Sequence, residues 1–221
     1  MGKPIIIFGV GELAQLAHHY FSNDTDYEVA GFTVDRDYMT ESRFLGLPVF
    51  PFETIADQCP PDRFFMFIAL GYSGLNVLRK AKYVKARELG YQMASYVSPR
   101  ATILNDGKIG DNAFILENNT VQPFAVIGNN VTLWSGNHIG HHSIIRDHTF
   151  IASHAVISGG VEIGESCFIG VNATIRDHIK IGDRCIIGAG GLVMEDAEPE
   201  SVYISEPTRL AAMNSSHIKS I

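Results

Sequence analysis

An aliphatic side chain returns at every sixth position of this sequence from Val97 to Val193, without a miss. Ile103, Ile109, Ile115, Val121, Ile127 and Leu133 carry the series forward, and Ile169, Ile175, Ile181 and Ile187 bring it to Val193. A helix repeats near 3.6 and a half-buried strand near 2, so a period of six fits neither and predicts a solenoid. The residue two places before the rung is commonly small, as at Ala113, Ala125, Ala155, Cys167, Ala173 and Cys185. These features predict a triangular β-prism in which each hexad gives one short strand and one corner. The rung points inward and the small residue sits beside it. Three hexads complete a coil, so each residue lies beneath the one eighteen positions further on, with coils stacked at about 4.8 Å. Glycines follow the rung at 110, 128, 140, 164, 170, 182 and 188. They are expected to supply the corner kink, because a residue without Cβ bends most freely.

Residues 1–96 lack this period and read as a small α/β domain, with the prism over 97–198 and a C-terminal tail over 199–221. Ile5 to Phe8 is a continuous apolar run, as in a buried parallel strand. Gly9-Val10-Gly11 follows, and then Leu13, Leu16, Ala17, Tyr20 and Phe21 keep helical spacing. The turn has the form G-x-G-x-x-A, whose backbone N–H groups at a helix N-terminus suit phosphate. Asp35 closes the next strand, where an acidic group meets a ribose hydroxyl. A short strand from Leu47 to Phe50 and a polar helix come next. A third apolar run, Phe64 to Leu70, ends at Gly71-Tyr72-Ser73-Gly74, and a basic-faced helix over 75–89 stops at Gly90. The domain is too short for both halves of a dinucleotide fold, so a mononucleotide or nucleotide-sugar fits better than NAD. A plain strand–helix turn is the alternative. In the tail, Asn214-Ser215-Ser216 is expected to be exposed and partly mobile.

The net charge of −7 argues against nucleic acid or an anionic membrane as the main partner. No apolar run approaches the roughly 20 residues of a membrane span. The N-terminal apolar segment is short for a signal peptide and is interrupted by Glu12. Of the three cysteines, Cys167 and Cys185 lie one coil apart at the inward small position, and they are expected to be core residues, neither nucleophile nor disulfide. A cytoplasmic location is the simplest expectation.

Five of the nine histidines, at 141, 142, 148, 154 and 178, fall at corners of the ladder. His142, His148 and His154 are six apart and so stand on three different corners. Within one chain they do not converge, and no metal site is expected. His141 and His142 are different, because eighteen residues on stand Gly159 and Gly160. Two glycines leave a notch above the imidazole pair, where a flexible thioester arm fits. A neutral imidazole suits a general base near neutral pH. The alternative is that both are simply polar corner residues.

The chain resembles the hexapeptide-repeat acyltransferases, in the sialic acid O-acetyltransferase-like branch that includes bacterial nucleotide-amino-sugar N-acetyltransferases of the bacillosamine and perosamine type. The resemblance lies in Ile5-Ile6-Ile7-Phe8-Gly9-Val10-Gly11, in the join Ser95-Tyr96-Val97-Ser98-Pro99-Arg100-Ala101, and in the stretch from Val161 through Phe168-Ile169-Gly170-Val171-Asn172-Ala173-Thr174-Ile175. It implies a mainly β fold, a left-handed parallel β-helix behind a small Rossmann-like α/β domain, assembled as a homotrimer. It further implies N-acetylation of a nucleotide-linked amino sugar for surface glycan synthesis, with acetyl-CoA or another acyl-CoA as co-substrate and no metal. By position the family's general base matches His141. The Glu that often follows it is His142 here, and a second family histidine is replaced by Phe150. The nucleotide-sugar falls to Gly9, Gly11, Asp35, Gly71 and Tyr72. The acyl-CoA arm runs past Gly159, Val171 and Ala189. Arg209 stands in Ser205-Glu206-Pro207-Thr208-Arg209, where the family has a Gly-x-Pro-Ala-Lys/Arg element. Sugar O-acetylation and a non-catalytic trimeric scaffold with a ligand-binding cap are the competing readings.

Overall fold

A computed structural model of the chain describes residues 2–210, 212 and 215–217. The first part is an α/β unit. Strand β1 (Lys3–Phe8) leads into helix α1 (Glu12–Asp24), then β2 (Tyr27–Val34), the short β3 (Arg43–Phe44), β4 (Leu47–Pro51), a single turn α2 (Ile55–Gln58), β5 (Phe65–Ile68), α3 (Val77–Glu88) and β6 (Gln92–Met93). The sheet order is β3-β4-β2-β1-β5-β6, parallel except for the β3–β4 hairpin. Ile5 and Ile7 face the core beneath α1, and Ile6 and Phe8 face the core beneath α3. That alternation explains why β1 reads as an unbroken apolar run: both of its faces are covered. Because β2 and β5 flank β1 on opposite sides, the winding reverses between β1 and β5. The crevice at their carboxyl ends is the topological switch point, where ligands of such sheets bind.

The second part is the left-handed parallel β-helix. Its strands pair at a spacing of eighteen residues on three faces, as in Thr132↔Phe150, Val156↔Thr174 and Ile144↔Glu162. The first face carries Phe114, Thr132, Phe150 and Phe168 outward, the second His138, Val156 and Thr174, and the third Val126, Ile144 and Glu162. The rungs from Ile115 to Ile187 are at most 2% exposed, while Val97, Ile103 and Ile109 are only partly buried at the open end. The prism also runs past Val193, because Val202–Tyr203 adds a strand to the first face. Cys167 and Cys185 are buried free thiols within this core. Burial pushes the Cys167 thiol up to about 12, away from the thiolate a nucleophile needs. Ser215–His217 form a short exposed turn, and Asn214 lies outside the described residues.

The corner kink is not where the glycines after the rungs led one to expect it. From Ile103 to Ile187 the left-handed residue is the third after the rung: mostly Asn112, Asn118, Asn130, His142, His148, His154, Asn172 and His178, with Asp106, Phe124, Ser166 and Arg184 and the glycines Gly136, Gly160 and Gly190 in the same series. Asn and His tolerate this region better than most side chains, which accounts for the recurrence of histidine at the corners. The glycines after the rungs serve another purpose. A Cβ at Gly170 would sit 2.6 Å from Ala189 N and 2.7 Å from Gly188 C, so these positions are kept bare by the next coil's backbone.

The α/β unit rests on the first face. Tyr20 and Phe21 of α1 pack against Tyr96, and Tyr20 also against Phe114. A polar ladder climbs the adjoining corner. The Ile68 N–H donates to Asn112 Oδ1 (2.8 Å), Asn112 Nδ2 to Asn130 Oδ1 (2.7 Å), and Asn130 Nδ2 to His148 Nδ1 (2.9 Å). His148 therefore accepts at Nδ1 and is neutral there. Burial, with the nearby Lys80, holds its pKa below the ordinary value. A depressed histidine is protonated more readily in the unfolded chain, so the stability it supports is present above about pH 6.5 and is lost as pH falls. The urea midpoint is expected to drop between pH 7 and pH 5, and His148→Asn is expected to flatten that slope, since Asn suits the left-handed corner.

Candidate active site

His141 and His142 stand on the corner between the second and third faces, both exposed. The His141 N–H donates to Gln122 Oε1 (2.9 Å), which fixes the backbone ahead of the ring. The two rings meet edge-on through their Nδ1 atoms, 3.1 Å apart with ring planes at 85°. One Nδ1 must carry a proton for that contact. With the proton on His141, His142 accepts it and the lone pair of His141 lies on Nε2. His142 is itself propped by Phe124, one coil below, at a centroid distance of 4.7 Å.

The notch above the pair differs from the one the spacing predicts. His141 leans into it: a Cβ on Gly159 would lie 2.6 Å from His141 Cε1 and 2.7 Å from Nε2. Gly160 is not open above His142 but is covered from the coil above by the His178 ring. The reason is the left-handed corner, which turns the side chain of one residue away from its neighbour's path. The outcome is an imidazole laid against a bare peptide. Among the described residues the Gly159 N–H has no acceptor and His141 Nε2 has no hydrogen-bond partner. An imidazole nitrogen and a main-chain N–H, both without partners, therefore belong to residues in contact across two coils, and these are the group types that general-base acyl transfer uses.

Gly9, Gly11 and Gly71 sit at the carboxyl ends of β1 and β5, in the switch-point crevice. Gly9 has φ +124° and a Cβ there would lie 3.0 Å from Ala69 O, so only glycine fits the turn. Asp35 follows β2 and is bound through Oδ1 to Lys82 of α3, a partner that the pattern of the helix does not single out. The Lys82 ammonium also lies over the rings of Phe8 and Phe52, at 5.5 and 5.4 Å. Tyr72 rests on the first face against Phe150 and Phe168. The residues expected to hold a nucleotide thus gather on the first-face side, while His141 stands at the opposite corner. One chain does not bring them together.

Val171 and Ala189 are exposed and stack on the corner between the first and second faces. Gly159 stands on the other edge of the second face. A thread past all three therefore crosses that face rather than climbing one corner, because Gly159 and Val171 are separated by two hexads rather than a full coil. Arg209 is exposed beyond the last strand. Among the described residues, no three His, Cys, Asp or Glu side chains gather as metal ligands, and no helix is long and apolar enough to cross a membrane.

The family model for bacterial transferase hexapeptide (six repeats) matches residues 106–139, 124–159 and 160–193. No curated protein matches the chain by sequence. Solved structures similar to it include a single-residue mutant of perosamine N-acetyltransferase from Caulobacter crescentus in complex with CoA and GDP-perosamine, at TM-score 0.79 and 23% identity over 90% of this chain and 92% of that one. The acetyltransferase domain of PglB from Neisseria gonorrhoeae in complex with acetyl coenzyme A gives TM-score 0.80 and 21% identity over 91% and 96%. WeeI from Acinetobacter baumannii gives 0.78 and 19% over 93% and 98%. At these identities the likeness is one of fold, and it spans both parts of the chain.

Proposed function

We propose that this chain, built on bacterial transferase hexapeptide repeats, is an acyl-CoA-dependent N-acyltransferase for a nucleotide-linked amino sugar, serving surface glycan synthesis. The observation that carries the reading is the His141 imidazole lying against Gly159, whose N–H is unpartnered. His141 Nε2 takes a proton from the sugar's amino group as its nitrogen attacks the thioester carbon. His142 accepts the Nδ1 proton of His141 and keeps the ring turned that way. The Gly159 N–H holds the oxygen of the tetrahedral adduct. The C–N bond forms, the C–S bond breaks, and the thiol leaves with a proton. No acyl-enzyme is needed, in keeping with the buried cysteines.

Residues 1–96 hold the nucleotide: Gly9 and Gly11 offer N–H groups to phosphate, and Asp35 offers Oδ2, the oxygen not bound to Lys82, to a ribose hydroxyl. Gly71 and Tyr72 border the sugar. Residues 97–198 hold the acyl-CoA across the second face past Gly159, Val171 and Ala189, and Arg209 meets its phosphates. A homotrimer supplies the missing proximity by placing one chain's α/β unit beside a neighbour's His141. The CoA, acetyl-CoA and GDP-perosamine bound by proteins of the same fold support these ligand classes.

The test mixes purified protein with acetyl-CoA and a panel of UDP-, GDP- and dTDP-linked amino sugars and follows thiol release. Turnover with at least one is expected, with a product bond stable to mild base, as an amide is. A base-labile product makes the enzyme an O-acetyltransferase. No turnover from a folded trimer leaves the scaffold reading.

A further inference from the structure

Arg79 is the largest fully buried side chain among the described residues, 1% exposed, and no carboxylate lies within ion-pair distance of it. Its Nη1 donates to Thr132 Oγ1 (2.7 Å), and its Nη2 to Asn76 Oδ1 (3.0 Å) and the His148 carbonyl (2.7 Å); Nε has no partner. A buried cation without a counter-ion is an expensive way to join two surfaces, since apolar packing does it at less cost. The clue to its use is the loop it clamps. Gly74, Leu75 and Asn76 are all left-handed, with φ 61°, 54° and 65°. Such strain is kept where the surroundings over-determine it and where a side chain must be aimed. Here Asn76 is fully buried, bound by Arg79 and donating to the Cys167 carbonyl at 3.1 Å.

What the clamp aims is Tyr72. Its ring lies 5.0 Å from Phe150 and 4.6 Å from Phe168, and half of its surface stays open. Phe150 stacks in turn on Phe168 and on Trp134, with planes at 25° and 27°. This shelf begins directly beyond the carboxyl end of β5, where a sugar leaving a diphosphate on the Gly9–Gly11 turn would emerge. We infer that Tyr72, over Phe150 and Phe168, is the stacking shelf for the sugar ring of the acceptor, and that Arg79 is the positioning residue that sets it. The inference rests on the nucleotide-sugar reading above.

Trp134 is the only tryptophan and touches the shelf, so its emission reports occupancy without turnover. The probes are the nucleotide amino sugars of the panel and their bare nucleoside diphosphates. Emission is expected to change with a nucleotide sugar and not with the bare diphosphate. Tyr72→Ala and Arg79→Met are each expected to weaken nucleotide-sugar binding about tenfold, with acyl-CoA KM and bare-diphosphate affinity unmoved. Should Arg79→Met not fold, Asn76→Gly, which keeps the left-handed turn and removes only the amide, is expected to give the same loss. Wild-type affinity in Tyr72→Ala, or equal losses for the bare diphosphate or for acyl-CoA, would overturn the shelf. If a nucleotide sugar shifts the emission but no acyl group is transferred, the enzymatic reading falls and the shelf stands. If none binds, both fall.

Discussion

Replacing His141 by Asn is expected to lower kcat by about 10²–10⁴-fold, the usual contribution of a positioned general base. The protein should remain folded with acyl-CoA binding intact. The imidazole is exposed and lies outside the prism core, and the backbone there is held by Gln122 Oε1 through a main-chain N–H that the substitution keeps. His141 is not one of the left-handed corner residues, so Asn introduces no change in backbone preference. Asn can donate and accept hydrogen bonds but cannot carry the proton through the reaction. The check is steady-state turnover at saturating acyl-CoA, alongside the urea midpoint and a titration with CoA. A variant within tenfold of wild type would place the base elsewhere on the corner. His142 would be the next candidate, because it shares the Nδ1 contact.

The prism was legible because its physics is local and repeated. An inward rung must be aliphatic on every hexad, so the i+18 register and the three faces follow from counting. Histidines 142, 148 and 154 were separated onto three corners by the same arithmetic. The glycines were legible as special but not in their purpose, since a bare position that prevents a collision and a bare position that permits a left-handed turn look alike in a sequence. Only the backbone distances at Gly170 and the dihedrals at Gly160 tell them apart. Arg79 and Lys82 were not legible at all. They sit in a helix with Lys80, Lys85 and Arg87, and the pattern reads as one solvated basic face. Which of these cations is buried depends on how α3 meets the first face of the prism, a contact between segments far apart in the chain. Thr132 and His148, which receive Arg79, carry no local mark of it. The same holds for the nucleotide group and His141. Each is singled out by its own motif, but their placement on opposite sides of one chain appears only in three dimensions.

Gly159 and Gly140, on neighbouring coils of one corner, allow the chemistry and the scaffold to be separated. A Cβ at Gly159 meets the His141 ring at 2.6 Å, and a ring at the end of a side chain can swing aside. Gly159 has no left-handed φ to strain, so Gly159→Ala is expected to fold as well as wild type. What it moves is the imidazole, and a displacement of about 1 Å at a reacting group lowers turnover on the order of 10²-fold. A Cβ at Gly140 meets Ser158 C at 2.5 Å and Gly159 N at 2.6 Å, both backbone atoms of the next coil. Nothing there can swing aside, and the coils must part while the Gly140 N–H holds the Ile157 carbonyl at 2.8 Å. Gly140→Ala is therefore expected to cost about 1–3 kcal/mol of stability, read as a lower urea midpoint. The paired measurement is kcat and midpoint for both variants. Full activity in Gly159→Ala would mean that the imidazole does not act from where it lies, and the assignment of His141 Nε2 and the Gly159 N–H as base and oxyanion donor would fail together.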